Sequence, residues 1–419
     1  MKSILVVCPY ERDRRELSRD NVKNKYSIIF DEMYTKDWLE KIICDRSGEP
    51  LYDDITEVIE RVIAYYNGID GIVSSGDYPG SIVSAIIAYK MNKLGVDPGI
   101  ILRAHHKYYS RLDQHAIVPE CVPQFRLFSN DGTYIHFKMP CFLKPVKSYF
   151  SMYAYKINFK EELHAIVQRV SVPTSFLMPF NQLLKEYTTC NFDANCWILE
   201  EFIEGEQVTL EGCVYKNEVY FLGITDSYFY PGTFVFSRFE YPSKLPDNVR
   251  NKMKDISTKI VTSIGLNNSL FNIEFIYNKK TDRIYIVEIN PRMASQFADL
   301  YEKVDGVNSY DILLDLSVGE KPQFQSGKGA FSHAIVFVLR VFKDYAIRKM
   351  PSRENIIQLQ TLFPDVRIEL YGQEGKKLSK VLQDGKSFRY ACVHLGGNSR
   401  NEVFEKLKEC KKLLTFQFT

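Results

Sequence analysis

The stretch Phe271–Arg292 has the sequence FNIEFIYNKKTDRIYIVEINPR. Two apolar runs with period-two alternation flank the polar segment NKKTDR, a pattern that predicts a β-hairpin. A fold about Thr281 places Glu274 opposite Glu288. Alternation then puts Glu288 and Asn290 on one face of the hairpin. Like charges that face each other across a ladder destabilise a sheet, and a bound cation removes this conflict.

The side chains on this face are ligands for a hard cation. Two carboxylates and one amide oxygen are a set that Mg²⁺ takes when nucleotide phosphates complete its coordination. Arg292 follows two residues after Asn290, where it could stabilise negative charge on a transferring phosphoryl group. The alternative is a solvated hairpin whose charged side chains point into water.

The composition is that of an ordinary globular protein. The 419 residues are 45% hydrophobic and 25% charged, and this length predicts roughly two or three domains. A formal net charge of +2 gives no bulk electrostatic indication of a nucleic-acid or membrane partner. The nine cysteines show no C-x-x-C and no zinc spacing, and the apolar run in MKSILVVCPYER is too short for a signal peptide or a membrane span. These features predict a cytoplasmic protein.

Strands and helices alternate in the N-terminal part of the chain, as in a small doubly wound α/β domain. The turn SSGDYPG after the third candidate strand could face a ligand at the strand ends, but it lacks the GxGxxG of a dinucleotide site. The candidate strands are Ile4–Cys8, Tyr26–Phe30 and Gly71–Ser74, and the candidate helices are Asp53–Asn67 and Ser81–Leu94.

Two lysines precede the hairpin in contexts that allow a phosphate contact. Lys107 and Arg111 lie in the predicted helix Ala104–Arg111, for which a solvated surface helix is the alternative. Lys144 ends the short apolar strand PCFLKP, either as an edge residue whose ammonium reaches solvent or as a phosphate contact. The segment Val146–Tyr155 is rich in Ser and aromatic residues, and a loop there could close over a triphosphate.

The segment CWILEEFIEGEQVTLEGCV contains an acidic hinge. Apolar residues surround Glu200 and Glu201, and Gly205 bends the chain before a new strand. Backbone groups exposed at such a hinge can pair with the edge of a flat heterocycle. Alternation on the new strand places Gln207 and Glu211 on one face. The alternative is an ordinary strand–turn–strand whose charges point outward.

Taken in order, these motifs resemble the ATP-grasp superfamily, from about Lys107 to Gly319. They are a K-x-x-x-R helix, the strand end F-L-K-P, the hinge L-E-E-F-I-E-G-E, and I-E-F followed by V-E-I-N-P-R. The segment ACVHLGGNSRNEVFEKLKECKKLL resembles the L-amino-acid ligase branch. The implied fold is α/β and α+β. It has an N-terminal doubly wound α/β domain (1–103), an ATP-grasp domain (104–328, with nucleotide subdomains 107–200 and 201–328) and a small C-terminal α+β domain (329–419).

The resemblance implies roles for individual nucleotide-site residues. Lys107 and Lys144 would hold ATP phosphates. The backbone groups of Glu201 and Ile203 would meet adenine, with Glu200 close by.

The resemblance leaves alternatives open for two residues that follow the hinge, Gln207 and Glu211. Gln207 stands where many members carry the glutamate that binds the ribose hydroxyls, and its amide can also donate and accept. Glu211 is a candidate contact for the metal or the amine. The alternative is that it touches no ligand and only holds neighbouring site residues in place.

The resemblance assigns the hairpin to metal binding and catalysis. Glu274, Glu288 and Asn290 would bind Mg²⁺, as one ion or as a pair, with Mn²⁺ as a substitute, and Arg292 would stabilise the phosphorylated intermediate. Ligase relatives often have glycines after N-P-R, whereas this chain has Met293–Gln296. Side chains there are expected to narrow or re-polarise the acceptor pocket.

The implied activity is an ADP-forming ligase. It would activate a carboxylate as an acylphosphate and join it to an amine, that of an amino acid, in an amide or peptide bond. Its expected partners are small-molecule substrates and a second copy of the chain, without nucleic acid or membrane. The alternatives are carboxyphosphate chemistry, as in biotin carboxylase-like or purine-pathway enzymes, and a nucleotide-binding regulator without turnover.

Overall fold

The computed structural model describes residues 1–36, 38–39, 54–128, 137–148, 152–381, 383 and 387–419. At the N-terminus, a three-stranded parallel sheet has the order β2-β1-β3. This confirms the predicted doubly wound α/β arrangement. Its elements are β1 (Lys2–Val6), α1 (Glu11–Leu17), α2 (Asp20–Lys25), β2 (Tyr26–Phe30), α3 (Ile55–Tyr65), β3 (Gly71–Val73) and α4 (Gly80–Lys90).

A break in the helical region after this sheet places the first site lysine. Helix α5 (Pro98–His105) begins at Asp97, whose carboxylate accepts hydrogen bonds from two backbone N–H groups of the first turn. The chain leaves helical geometry at His106, and α6 (Lys107–Ile117) starts at the next residue. The prediction of one helix over Ala104–Arg111 is therefore wrong, because the bend at His106 splits it. Lys107 consequently lies at a helix N-terminus.

A four-stranded antiparallel sheet follows, in the order β4-β7-β5-β6. Apolar side chains such as Leu143, Ile157 and Leu199 are buried on one side of it. Strand β7 is central and antiparallel to β5, so Glu200 pairs with Phe142, two residues before Lys144 on β5. The elements are β4 (Phe125–Phe128), β5 (Cys141–Pro145), β6 (Tyr155–Ile157), α7 (Lys160–Arg169), α8 (Thr174–Tyr187) and β7 (Trp197–Glu201).

An eight-stranded sheet forms the largest layer, in the order β12-β11-β8-β9-β10-β13-β16-β15. The predicted hairpin is β11 and β12, and β12 is an edge strand of this sheet. The elements up to the hairpin are β8 (Glu206–Tyr215), β9 (Glu218–Phe229), β10 (Phe236–Tyr241), α9 (Asp247–Ser263), β11 (Ser269–Asn278) and β12 (Arg283–Asn290).

The C-terminal part of the chain extends the same sheet. Strand β13 pairs antiparallel with β10, and β16 pairs with both β13 and β15. The predicted domain boundaries remain a prediction. The elements are α10 (Ala298–Asp305), α11 (Ser309–Ser317), β13 (His333–Val341), β14 (Ile347–Lys349), α12 (Arg353–Leu362), β15 (Arg367–Leu370), β16 (Phe388–Gly397), α13 (Arg400–Leu413) and β17 (Gln417–Phe418), with short 3₁₀ turns at Pro119–Cys121, Ser295–Phe297 and Leu378–Lys380.

The described helices include none with the length and apolar character needed to cross a bilayer. The expected cytoplasmic location and homodimer remain predictions.

Candidate active site

The hairpin has the register that its sequence predicts. Glu274 on β11 pairs directly with Glu288 on β12, and Asn272 pairs with Asn290. A β-bulge follows Glu274, so the ladder beyond it is shifted by one residue. The prediction that two carboxylates face each other across the ladder is confirmed.

The two facing carboxylates have unlike environments. Burial and the neighbouring charge of Glu288 raise the pKa of Glu274. Burial also opposes ionisation of Glu288, but Lys107 and Lys144 outweigh it and hold the pKa of Glu288 below its usual value. Lys107 Nζ lies 3.1 Å from Glu288 Oε1. A cation placed between the acids would replace the proton that Glu274 tends to retain.

Asn272 orients the predicted amide ligand. Its Oδ1 accepts a hydrogen bond from Asn290 Nδ2 at 3.1 Å, and its Nδ2 donates to the Arg292 carbonyl at 3.0 Å. With Nδ2 engaged, Asn290 presents Oδ1 to the site, where Arg292 Nη2 lies 3.3 Å away. Asn272 was not predicted as a site residue. Its place two residues before Glu274 on an alternating strand could have identified it.

Lys144 lies in a buried ion-pair cluster with two other side chains. Its Nζ is 2.7 Å from Glu200 Oε2, and Arg111 Nε is 2.7 Å from Glu200 Oε1. Lys144, Glu200 and Arg111 are 7%, 5% and 2% exposed. The two cations hold the pKa of Glu200 below its usual value despite its burial. The alternatives of a solvent-reaching Lys144 and of a solvated surface position for Arg111 are therefore wrong.

One backbone group of the acidic hinge already forms a hydrogen bond within the protein. The Glu201 N–H donates to the Gln124 carbonyl at 2.8 Å, so this N–H is not free for the predicted adenine contact. Ile203 lies in the half-buried segment that follows β7. Gln207 Nε2 donates to Glu274 Oε2 at 2.9 Å, so this amide is bound to the carboxylate pair.

Arg292 lies against the turn SSGDYPG of the N-terminal sheet. Its Nε is 3.2 Å from Asp77 Oδ1, and its Nη1 donates to the Met293 carbonyl at 3.0 Å. His105 Nδ1 is 3.4 Å from the same Asp77 oxygen and 2.8 Å from Lys147 Nζ. The sequence singled out this turn as a ligand-facing element, but Asp77, His105 and Lys147 were not identified as site residues.

Glu211 is a supporting residue in this structure. It is fully buried, and its Oε1 accepts a hydrogen bond from the Ala294 N–H at 2.7 Å. Burial raises the pKa of Glu211 to about 8. Among the described residues, no ion pair includes it, so the geometry favours the interpretation that Glu211 holds the chain after Arg292.

Two of the four side chains in the segment Met293–Gln296 are buried. Met293 and Ala294 are 1% and 3% exposed and pack into separate apolar clusters. Ser295 and Gln296 are half-buried, and Ser295 Oγ accepts a hydrogen bond from Arg12 Nη1 at 3.0 Å. Any narrowing of an acceptor pocket by this segment therefore depends on Ser295 and Gln296.

The described side chains alone do not complete the coordination of a metal ion. The described residues include no group of three or more His, Cys, Asp or Glu side chains that could hold a metal ion. The hairpin supplies two carboxylates and one amide oxygen. This set fits Mg²⁺ when phosphate oxygens and water supply the remaining ligands.

A comparison with known proteins identifies the family of part of the chain. Residues 137–299 match the family model of the ATP-grasp domain. The part of the chain that this model matches is therefore an ATP-grasp domain. Curated relatives include the carbamoyl phosphate synthase large chain of Thermotoga neapolitana. It is 27% identical over 153 residues, which cover 35% of this chain and 13% of the relative. That of Rhodopirellula baltica is 29% identical over 122 residues, covering 28% of this chain and 11% of the relative.

Solved ATP-grasp structures superpose on the whole chain. An L-amino acid ligase from Bacillus licheniformis has a TM-score of 0.75 at 16% identity and covers 100% of this chain and 99% of its own. A phosphoribosylglycinamide synthetase from Anaerococcus prevotii has a TM-score of 0.65 at 18% identity, with coverage of 100% and 99%. A biotin carboxylase from Campylobacter jejuni has a TM-score of 0.64 at 16% identity, with coverage of 100% and 92%. At these identities the comparison shows the ATP-grasp fold, and the substrate class stays open.

Proposed function

We propose that the chain is an ADP-forming ligase that activates a carboxylate as an acylphosphate and joins it to an amine, giving an amide or peptide bond. The observation that carries the proposal is the facing pair Glu274 and Glu288, with Asn290 and Arg292 at the end of the same strand. Similarity to the L-amino acid ligase over the whole chain supports this choice among ATP-grasp reactions.

Glu274, Glu288 and Asn290 would hold Mg²⁺, as one ion or as a pair. When bound, Mg²⁺ neutralises phosphate charge and favours in-line phosphoryl transfer. Asn272 keeps the Asn290 oxygen directed at the site. A biotin carboxylase domain from Hydrogenobacter thermophilus, solved with MgADP, has a similar fold with a TM-score of 0.63.

Lys107 and Lys144 would contact the phosphates of ATP. Lys107 now pairs with Glu288, and it becomes available for a phosphate oxygen once Glu288 has another cationic partner. Lys144 is held in place by Glu200, and Arg111 balances the charge of the cluster. A buried ammonium stabilises phosphate charge more strongly than a solvated one, because the local dielectric constant is lower.

The hinge would hold the nucleoside. The Glu201 carbonyl and the Ile203 backbone would meet adenine, with Glu200 behind them in its ion-pair cluster. Gln207 keeps its carbonyl oxygen for a ribose hydroxyl, since its amide nitrogen donates to Glu274.

Arg292 would stabilise the phosphoryl group during transfer and in the acylphosphate. The negative charge of Asp77 outweighs burial and raises the pKa of Arg292, so its guanidinium remains charged at every working pH. One backbone acceptor, the Met293 carbonyl, and one side-chain acceptor, Asn290 Oδ1, fix the plane of the guanidinium. Such a preorganised cation stabilises developing charge without reorganising during the reaction.

One observation favours carboxyphosphate chemistry as a second candidate. The curated relatives that match by sequence are carbamoyl phosphate synthase large chains, and a biotin carboxylase is among the similar structures. In this reaction bicarbonate replaces the organic carboxylate at the same site.

Release of ADP from ATP should be measured with a panel of carboxylates and amines, each alone and in pairs. The ligase proposal expects ADP release that requires a carboxylate and an amine together. Dependence on bicarbonate alone would favour carboxyphosphate chemistry. ATP binding without turnover under every condition would indicate a nucleotide-binding regulator and overturn the ligase proposal.

A further inference from the structure

Asp77 is an acidic side chain that the N-terminal domain brings to the catalytic arginine. It lies 215 residues before Arg292 in the chain, yet Oδ1 is 3.2 Å from Arg292 Nε. Arg292, His105 and Lys147 keep the pKa of Asp77 well below its usual value, although burial opposes ionisation. The carboxylate is therefore charged at neutral pH.

The two oxygens of Asp77 differ in their surroundings. Oδ1 is buried against the Arg292 and His105 side chains. The Asp77 side chain as a whole is nevertheless 41% exposed, and no hydrogen bond to Oδ2 is formed within the described residues. One oxygen is thus anchored on the protein, and the other is available to a ligand.

The groups behind Asp77 hold it in this position. Lys147 is 2% exposed, its Nζ is 2.8 Å from His105 Nδ1, and the Tyr78 ring centroid lies 4.9 Å from that ammonium. None of the ion pairs among the described residues includes Lys147. Burial lowers its pKa to about 8, while the negative charges of Asp77 and Glu288 favour its charged form.

A negative and a positive side chain in contact at the reacting end of the site are complementary to a zwitterion. Glu288 and Glu274 would be occupied by metal, whereas the free Asp77 oxygen has no such role. We propose that Asp77 is a specificity-determining residue that accepts a hydrogen bond from a cationic nitrogen of the carboxylate substrate, while Arg292 faces the carboxylate to be activated. This inference rests on the proposed ligase function.

The test compares substrates that differ only in the ammonium group. Alanine and propanoate are offered as donors to the full-length protein, with hydroxylamine as the amine, so that acylphosphate is trapped as a hydroxamate and acceptor specificity does not enter. The wild type is expected to prefer alanine over propanoate in kcat/KM by roughly 10- to 100-fold, the range of one charge-assisted hydrogen bond. N-acetylalanine, which lacks the cationic nitrogen, should behave like propanoate or worse.

The variant Asp77→Asn should lose this preference. Its KM for alanine should rise roughly 10- to 100-fold, while its KM values for propanoate and ATP stay within about twofold of the wild type. Asp20→Asn, which changes an exposed aspartate of the same domain, is the matched control and should retain the preference. Melting temperatures of both variants report whether the fold is kept.

Several outcomes would overturn the assignment. If kcat/KM of the wild type for propanoate equals that for alanine, the enzyme does not recognise a cationic nitrogen. This outcome is decided on the wild type alone. If Asp77→Asn weakens both donors equally, or raises the Mg²⁺ or ATP requirement, the residue acts through Arg292 or the metal. If no carboxylate stimulates hydroxamate formation or ADP release in the wild type, the ligase proposal itself fails.

Discussion

The substitution Glu211→Gln tests whether this buried carboxyl group is protonated in the folded protein. Glu211 is fully buried, and its Oε1 accepts a hydrogen bond from the Ala294 N–H at 2.7 Å. A glutamine oxygen can accept the same bond, and its amide has nearly the shape of a protonated carboxyl group. The variant should therefore be close to wild-type stability at pH 5.

The magnitude follows from the change in proton binding on unfolding. Burial raises the pKa of Glu211 from 4.5 to about 8. Between these values the folded protein retains a proton that the unfolded chain has released, so wild-type stability falls as the pH rises. From pH 5 to pH 8 this loss amounts to roughly 3 kcal/mol. Because Glu211→Gln lacks the titrating group, its stability relative to the wild type should rise by that amount.

Urea unfolding of both proteins at pH 5, 6, 7 and 8, followed by tryptophan fluorescence and circular dichroism together, measures this difference. Glu206→Gln changes an exposed glutamate at the start of the same strand, and its difference from the wild type should not depend on pH. A Glu211→Gln difference that is equally flat would refute the reasoning, because Glu211 would then ionise as it does in the unfolded chain.

Three further substitutions test the roles proposed for the site. Glu288→Gln should nearly abolish ADP release while the melting temperature changes little, because it removes a proposed metal ligand; wild-type turnover would contradict the metal assignment. Arg292→Ala should lower kcat by roughly 100-fold or more while the Kd for ATP, measured by calorimetry, changes only slightly; a loss confined to ATP binding would place Arg292 elsewhere. Glu200→Gln should destabilise the fold by roughly 3–5 kcal/mol in urea unfolding, because Arg111 and Lys144 would remain as uncompensated buried cations; a change below about 1 kcal/mol would show that the cluster is hydrated.

The register of the hairpin formed by β11 and β12 could be predicted from sequence because it is a local property. The turn length and the period-two alternation determine which residues oppose each other, so Glu274 and Glu288 could be paired without a structure. Asn272 was accessible by the same logic, since it lies on the same strand face as Glu274.

Other site features depend on contacts between distant parts of the chain. Asp77 and Lys147 come to Arg292 through the packing of separate sheets, and no local pattern encodes that approach. The ion pairing of Glu200 also depends on tertiary contacts, because the sequence around a free carboxylate and around an ion-paired one can be the same. The bend at His106 was missed because the residues around it have ordinary helix propensity, which tertiary packing overrides.

The guanidinium of Arg111 has a consequence for the solubility of the protein. Strand β12 is at the edge of the eight-stranded sheet, where unpaired carbonyl groups can recruit a strand from another molecule. Arg111 donates to the Ile286 carbonyl at 2.9 Å and to the Val287 carbonyl at 2.8 Å. These two bonds, next to the bulge, occupy the edge where an intruding strand would begin to pair. The side chain that balances charge around Glu200 therefore also protects the hairpin of β11 and β12 from edge-to-edge aggregation.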